Sequence, residues 1–446
     1  MTDLPRAETD PGELAPPPAP PKPLRGGLFR HHDFRQLFLG DAISQVGTQL
    51  TVLALPVLAI RVLDADEFEM GLLGTFEFLA FLVIGLPAGA WVDRWRKKRV
   101  LVSADVARAI ALGSLPLAWA FDVLTLLQVF AVALVVGVST VFFDVAYQSY
   151  LPELVPSDRI SEGNAKLQGL QSVAQVAGPA TGGFLIRVLG APLTIALDAV
   201  SFLGSALFVS RIRHADEPPP KAGRRPLVEE IKEGLSFVVH QRLLLRIAAC
   251  TSIGNLFNTM SGALLVLFAL RELGLRESDL GIAFALGSVG GILGALVTTR
   301  ITSWIGEGRA IPLSALLFAP FTALIPLAGQ TIPPMVALAL SMCGFSFSVL
   351  VYNITQVSFR QRLCPKPLLG RMNASIRFVV WGTMPIGSFV GGVLGAQLGI
   401  RTVFWISVAG AVVAALPVLF SPLIRMRDLP RELDVHAGAV DLDKTP

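Results

Sequence analysis

Charge is scarce in this chain. Asp, Glu, Lys and Arg make up 16% of its 446 residues, whereas soluble domains carry about a quarter. Hydrophobic residues make up 53%, and they form runs of the length that crosses a bilayer as a helix. Only helices and closed barrels satisfy their own backbone polar groups in a membrane, and the runs lack the strict alternation of barrel strands. The sequence therefore predicts an all-α membrane protein.

Cysteine and histidine are also rare. The three cysteines are scattered without CxxC spacing, and the five histidines fall in predicted tails or loops, so the sequence indicates no metal site and no disulfide framework. The nucleotide-binding pattern GxxxxGK[ST] is absent from it. We therefore expect no cofactor, no catalytic residue and no ATP-driven step. The net charge is +4, and the basic residues lie between the apolar runs. This distribution favours a role in membrane topology over nucleic-acid binding.

Twelve transmembrane helices are predicted. They cover residues 36–62, 70–92, 100–121, 123–148, 162–188, 191–211, 243–270, 279–302, 310–329, 332–359, 370–399 and 400–424. Residues 1–35 are proline-rich and residues 425–446 are polar, and both segments are predicted to be loose tails. An even number of helices places both tails on one face, whose loops hold most of the Lys and Arg residues. The positive-inside rule then predicts cytoplasmic termini. We expect a multi-pass protein of the cell inner (plasma) membrane.

A polar stretch divides the helices into two sets of six. We expect a cytoplasmic linker over residues 212–242, between helix bundles of residues 36–211 and 243–424. Six residue pairs share one sequence separation: Pro156 and Pro365, Asn164 and Asn373, Gly178 and Gly387, Gly182 and Gly391, Gly183 and Gly392, and Gly190 and Gly399. This indicates a parallel repeat, as in transporters whose halves rock around a central site. The glycines could serve movement between the halves or close packing within one half.

The loop after the second helix carries the stretch GAWVDRWRKKRVLV. It resembles motif A of the major facilitator superfamily, and the matching residues are Gly89, Asp93, Arg94, Lys97, Lys98 and Arg99. The twelve-helix arrangement extends the resemblance over nearly the whole chain. The first helix, and DVARAIAL in the third, look like the branch of macrolide-efflux proteins and the enterobactin exporter. Arg96 stands where the motif usually has glycine, and Thr48 stands where an aspartate often occurs.

The resemblance implies a gate. In the superfamily, motif A holds the cytoplasmic side closed when the transporter faces outward, with its aspartate at the start of helix eleven. Here that start would lie near residues 370–373, and an anion near a helix N-terminus gains roughly 0.3–1 kcal/mol. The alternative is that the basic residues only set topology. We assign the later basic residues mainly to topology, and Gly89, Asp93 and Arg94 to the gate.

Several ionisable residues fall inside predicted helices, where a charge costs at least about 2.5–3.5 kcal/mol and marks a candidate functional site. Asp105, Arg108 and Asp144 are predicted to form an ion-paired network near the cytoplasmic ends of helices three and four. Asp41 and Glu77 are candidates for proton coupling, because burial favours the neutral acid and lets it carry a proton. Either acid could instead be a fixed hydrogen-bond partner.

Amide side chains recur at helical spacing, and we expect them to line a substrate cavity together with one cation and one aromatic residue. The candidates are Gln45, Gln49, Gln171, Gln175, Asn255, Asn258, Asn353, Gln356, Arg377 and Trp381. Such a surface suits an amphipathic organic molecule better than a small ion. For any single amide, the alternative is a hydrogen bond between helices, worth about 0.6 kcal/mol.

These features predict a secondary active transporter that works as a monomer in the lipid bilayer by alternating access. Its expected activity is proton-coupled export of amphipathic drugs or siderophore-like metabolites, and export depends mainly on the family resemblance. One alternative is an importer or facilitator of an endogenous metabolite or lipid. A different class, a membrane receptor or enzyme on a similar bundle, is disfavoured because the sequence has no histidine cluster and no nucleophile motif.

Overall fold

The fold consists of membrane-length helices joined by short loops. The computed structural model describes residues 27–92, 94–156, 159–214, 236–364 and 369–427. We number the membrane-crossing helices α1 to α12, and three of them consist of two segments. Their bounds are α1 His32–Val62, α2 Glu67–Val83 and Gly85–Val92, α3 Lys97–Ala120, α4 Leu126–Leu154, α5 Ile160–Leu189, α6 Ala191–Ser210, α7 Arg242–Leu267, α8 Glu277–Ile305, α9 Glu307–Leu316 and Phe318–Leu327, α10 Pro334–Leu363, α11 Leu369–Trp381 and Thr383–Leu398, and α12 Ile400–Leu419.

The predicted fold class is confirmed. Among the described residues, 10 helices are long and apolar enough to cross a membrane. The other two crossings are α2, which breaks after Val83, and α5, whose first half is polar. α1 begins at His32 rather than at residue 36. Most of the predicted tails and linker lies outside the described residues, at residues 1–26, 215–235 and 428–446.

Local sequence signals set several helix ends. Asp66 and Glu69 form a capping box at the start of α2: the Glu69 backbone N–H donates to Asp66 Oδ1 over 2.8 Å, and the Asp66 N–H donates to Glu69 Oε2 over 2.9 Å. Gly190 ends α5 and Gly399 ends α11, each with φ of 83°. Other residues rarely adopt this left-handed conformation, so glycine is required at both equivalent turns.

The two halves, α1–α6 (N-half) and α7–α12 (C-half), repeat the same packing. Within the N-half, Gly178 lies against Gln49 of α1. Its counterpart in the C-half, Gly387, lies against Leu256 of α7. These glycines let α5 and α11 approach a helix of their own half closely, so the packing role considered from the sequence applies to them.

The next glycines along α5 and α11 face the opposite half instead. A Cβ atom placed on Gly183 would lie 3.1 Å from the Cα atom of Gly281 in α8, and one on Gly392 would lie 2.7 Å from the Cα atom of Gly71 in α2. α5 and α8, and likewise α2 and α11, therefore meet backbone to backbone across the halves. The glycine pattern serves both proposed roles, at different positions.

Ion pairs reinforce this contact on the face that holds the α1–α2 and α7–α8 loops, which we call the distal face. Arg61 pairs with Glu277 over 3.0 Å, and Arg271 pairs with Asp64 over 2.8 Å. Each pair joins one half to the other, and we call the two pairs the distal clasp. The opposite face, where α1 begins and α12 ends, is the terminal face.

Because α5 touches α8 at Gly183, we expect alanine to destabilise the protein at Gly183 and to be tolerated at Gly169. In Gly183→Ala the new methyl group would also lie 2.5 Å from the Glu277 carbonyl oxygen, so the helices must separate, at a cost of about 1–3 kcal/mol. A Cβ atom on Gly169, in the same helix, meets no atom within 4 Å. Thermal unfolding in detergent should show a lower melting temperature for Gly183→Ala and an unchanged one for Gly169→Ala. Equal melting temperatures would contradict the contact.

Candidate functional site

A cavity of about 1260 Å³ lies between the halves. α1, α4 and α5 line it from the N-half, and α7, α9, α10, α11 and α12 line it from the C-half. Three lining residues, Asn164, Gln361 and Asn373, are exposed at the terminal ends of their helices. The halves touch at the distal face, so the cavity opens toward the terminal face. This volume exceeds that of many drug sites and accommodates a large organic molecule.

Most of the predicted cavity residues line this space. Those that do are Gln45, Gln171, Asn255, Asn258, Asn353, Gln356, Arg377 and Trp381. The structure places the other two outside the lining. Gln49 packs its side chain beneath Gly178, and the backbone carbonyl of Gln175 accepts a hydrogen bond from the Ser288 hydroxyl over 2.5 Å. Gln175 is itself exposed, so neither residue belongs to the cavity wall.

Sequence reasoning left out several lining residues. Asn164 and Asn373 both border the cavity, and their place among the repeated pairs was a signal that could have found them. Arg360 and Gln361 were assigned to a terminal loop, whereas α10 continues through Leu363 and carries both residues to the cavity wall. These four polar residues belong to the cavity wall although the amide pattern did not indicate them.

Asp41 is the buried acid of the cavity. The residue is 4% exposed, and α1 places it in the cavity lining. The Tyr147 hydroxyl of α4 donates to its Oδ2 atom over 3.0 Å, and the Gln45 amide donates to its Oδ1 atom over 3.3 Å. Two donors thus orient a carboxyl group at the edge of the water-accessible space.

Glu77, the second candidate for proton coupling, has a different setting. Its side chain is exposed, it is not among the cavity-lining residues, and it forms no hydrogen bond with any described residue. Its backbone carbonyl lies against Gly137 of α4. The structure therefore separates the two acids that the sequence treated alike.

The three charges predicted to form one network are split in the structure. Asp105 and Arg108 form a buried pair within α3, with 2.5 Å between Asp105 Oδ1 and Arg108 Nη2. The guanidinium lies 4.4 Å from the ring centre of Phe143 and 4.3 Å from that of Phe202, so two cation–π contacts also hold it. This pair stabilises the N-half and is outside the cavity lining.

Asp144 instead faces the other half. Its Oδ2 atom lies 3.4 Å from Nη2 of Arg377 in α11. The Arg377 guanidinium also lies 4.2 Å from the ring centre of Trp381. Both charged residues line the cavity and are partly exposed. The sequence places Asp144 beside α3 charges, but the α4 helix turns its side chain toward the interface.

The motif A residues lie on the terminal face. Lys97 pairs with Glu153 and donates to the Ser149 carbonyl over 3.2 Å, and Lys98 donates to the Ile212 carbonyl over 2.6 Å. These lysines therefore bind α3 to α4 and to the end of α6. Gly89 lies in the second segment of α2, Arg94 and Arg99 are exposed, and Asp93 lies outside the described residues.

Asp198, a further acid inside a helix, is fully buried away from the cavity. It accepts hydrogen bonds from the Ser201 hydroxyl over 2.9 Å and from the Thr51 hydroxyl of α1. A Cβ atom on Gly47 would collide with Asp198 and Ser201. These contacts indicate that Asp198 joins α1 to α6.

The described residues form twelve membrane-crossing helices in two similar halves with a cavity between them, which is the architecture of a membrane transporter. The chain belongs to the Major Facilitator Superfamily, whose family model matches residues 37–383. Membership confirms the predicted family, implies a small-molecule substrate and agrees with a multi-pass membrane protein.

Similar proteins include drug exporters. The multidrug efflux pump Tap of Mycolicibacterium fortuitum is 26% identical over 400 residues, which cover 86% of this chain and 94% of the relative. Macrolide efflux protein A of Streptococcus pyogenes is 22% identical over 414 residues, which cover 89% of this chain and 97% of the relative.

Solved structures of low identity share the fold alone. A POT family transporter in complex with 5-aminolevulinic acid has a TM-score of 0.72 at 14% identity, over 88% of this chain and 96% of that chain. A bacterial homologue of the iron transporter ferroportin has a TM-score of 0.69 at 15% identity, over 88% of this chain and 98% of that chain.

The ion pairs Asp105–Arg108 and Asp144–Arg377 predict different losses of stability when the aspartate is neutralised. Asp105→Asn leaves the buried Arg108 without its counter-charge, which costs about 3–5 kcal/mol, whereas Asp144→Asn removes a partly exposed pair worth about 1 kcal/mol or less. Thermal unfolding in detergent should therefore show a much larger loss for Asp105→Asn. Adding Arg108→Met should recover part of that loss, because methionine also packs between aromatic rings. Equal losses for the two single variants would contradict the assignment.

Proposed function

We propose that this transporter exports amphipathic drugs or siderophore-like metabolites in exchange for protons, as a monomer of the bacterial inner membrane. In this proposal the terminal face is cytoplasmic, because the loops of that face hold most of the Lys and Arg residues. The similarity to a multidrug efflux pump and to a macrolide efflux protein supports export. Residues 1–35, 212–242 and 425–446 are proposed to form the cytoplasmic tails and linker.

The observation that carries the proposal is Asp41 in the wall of the cavity. An ionisable side chain inside a membrane-crossing helix is costly, so each one is a candidate functional group. Asp41 has both requirements of a proton carrier: access to the cavity on one side and hydrogen bonds from Tyr147 and Gln45 on the other. Glu77 is the second candidate, and its lack of partners among the described residues makes it the weaker one.

The cavity surface supports an amphipathic cargo. Aromatic side chains of α7, α9 and α10, namely Phe257, Phe318, Phe345 and Tyr352, lie in the same wall as the amides of Asn255, Asn258 and Asn353. Sites for organic molecules combine apolar and aromatic side chains with polar groups that fix the orientation of the ligand. We infer that the aromatic groups hold the apolar part of the cargo and that the amides orient its polar groups.

Alternating access requires one gate on each face. We propose that the distal clasp, with the glycine contacts beside it, closes the outer gate in the conformation described here. Motif A is proposed to close the opposite side, with Asp93 meeting the start of α11 near residues 370–373 and Arg94 assisting from the same loop. The lysine contacts support a narrower role for Lys97 and Lys98, which hold the loop on the N-half.

Asp41→Asn should abolish proton-driven transport and leave cargo binding nearly unchanged, because an amide keeps the shape of the side chain and one acceptor oxygen but cannot gain or lose a proton. Uptake into proteoliposomes would be measured under an imposed pH gradient, for a panel that contains a dye, a macrolide and a siderophore. Glu77→Gln is the comparison variant, and Tyr147→Phe should give an intermediate loss because it removes one donor to Asp41.

Full gradient-driven uptake in both Asp41→Asn and Glu77→Gln would overturn the proton-coupling proposal. Uptake that proceeds only in the direction of import would overturn export while leaving the coupling residue in place. Loss of cargo binding in Asp41→Asn would assign that residue to the cargo site instead of the proton step.

Removing the distal clasp should shift the transporter toward a state open at the distal face. Each exposed ion pair contributes about 0.2–1 kcal/mol, so Arg61→Gln combined with Arg271→Gln should change the population severalfold. Spin labels at Val123 and Thr331, on distal loops of opposite halves, report the separation in a chain whose native cysteines have been replaced. The labels should show an added population at longer distance.

Arg401→Gln is the matched control for the clasp, because Arg401 pairs with Glu272 over 3.7 Å within the C-half. It should leave the distance between the labels unchanged. A double clasp variant with the same distances as the parent protein would show that the clasp does not hold the outer gate.

A further inference from the structure

One helix of the C-half presents a polar stripe to the cavity. Asn353, Gln356 and Arg360 of α10 follow three- and four-residue spacing, and all three residues line the cavity. The Gln356 amide group donates to Asn353 Oδ1 over 3.3 Å. This bond uses the amide nitrogen of Gln356 and leaves its amide oxygen, Oε1, to be considered separately.

Two buried polar atoms of this stripe lack a partner among the described residues. They are Nε of Arg360 and Oε1 of Gln356. A buried donor or acceptor without a hydrogen bond destabilises a protein, so native structures leave few of them. In a binding site, the missing partner can be supplied by the ligand.

Arg360 differs in this respect from the other inward-facing arginines. Arg108 has Asp105 as its counter-charge, and Arg377 has Asp144. Arg360 forms no ion pair with any described residue. Of the two acids that line the cavity, Asp144 is thus already paired, and Asp41 is bonded to Tyr147 and Gln45. The wall formed by α10 therefore carries an uncompensated positive charge.

A topological role alone does not explain this geometry. Arginines that only hold a helix end at the membrane surface extend their guanidinium groups into water. Arg425, on the same face, is exposed and lies outside the cavity lining. In Arg360 the Nε atom is buried and the side chain forms part of the cavity wall.

We propose that Arg360 binds an acidic group of the cargo, a carboxylate or a phosphate, at the terminal end of the cavity. Arginine suits this role because its planar group donates two parallel hydrogen bonds to such an anion. The inference depends on the proposed function in taking the cavity as the cargo site. It narrows the cargo from amphipathic molecules in general to those with an acidic end.

The aromatic residues of the same wall define the rest of the cargo. Tyr352 lies two helical turns from Arg360 toward the distal face, about 12 Å along α10 at 1.5 Å per residue. Phe318 of α9 packs against Tyr352, with 5.8 Å between ring centres. An apolar body that extends roughly 12 Å from the acidic group would therefore reach this aromatic pair.

Pyrenebutyrate and its methyl ester form a matched probe pair, because only the acid carries a charge. Binding to the detergent-solubilised full chain would be measured by energy transfer from tryptophan to pyrene, without any ion gradient. The parent protein should bind the acid at least about tenfold more tightly than the ester, as a hydrogen bond to a charged group allows. Arg360→Gln should reduce this preference to about twofold or less, and Arg360→Lys should retain part of it.

Arg425→Gln is the control, since it removes a positive charge from the same face outside the cavity, and it should keep the tenfold preference. Equal binding of acid and ester by the parent protein would overturn the proposal, as would an unchanged preference in Arg360→Gln. An equal loss in Arg425→Gln would also overturn it and indicate long-range attraction. Because the assay measures equilibrium binding, its outcome is independent of whether Asp41 couples export to protons.

Discussion

The structure depends on two close backbone contacts between the halves, Gly183 with Gly281 and Gly392 with Gly71. No side chain separates the helices at these points, so the halves touch near the distal face. The cavity lies between the halves, and its exposed lining residues Asn164, Gln361 and Asn373 are at the terminal end. Gly178 and Gly387, which come slightly earlier in α5 and α11, bind each helix to its own half. The glycines of α5 and α11 therefore allow close packing within each half and also between the halves.

The positions of the charges follow from this geometry. Asp105 and Arg108 lie within one half, buried between aromatic rings, where the rocking motion proposed for the halves would leave them together. Asp144 and Arg377, and the pairs of the distal clasp, join opposite halves and are partly exposed. Ion pairs that water can reach cost little to break, so pairs of this kind suit contacts that must open and close. The buried pair suits a part that must stay intact.

Much of the fold and part of the site could be predicted from the sequence. The helices followed from hydropathy, and the repeat followed from the spacing of glycines, prolines and asparagines, because both are properties of sequence order. Most of the candidate cavity residues line the cavity, but Gln49 packs under Gly178, Gln175 is exposed outside the lining, and Asp144 pairs with Arg377 of α11. A helical pattern tells which residues share a face, and it does not tell which neighbour that face meets.

The sequence by itself determined a twelve-helix membrane protein with two related halves, because burial of apolar helices in lipid and the chain's own repetition leave few alternatives. Only the tertiary structure decided which face of the bundle is closed, which acid reaches the cavity and which arginine lacks a counter-charge. The physical reason is that these properties belong to pairs of side chains on different helices. The roles proposed for Asp41, which is bonded to Tyr147, and for Arg360, which has no acidic partner among the described residues, depend on neighbours that are distant in sequence.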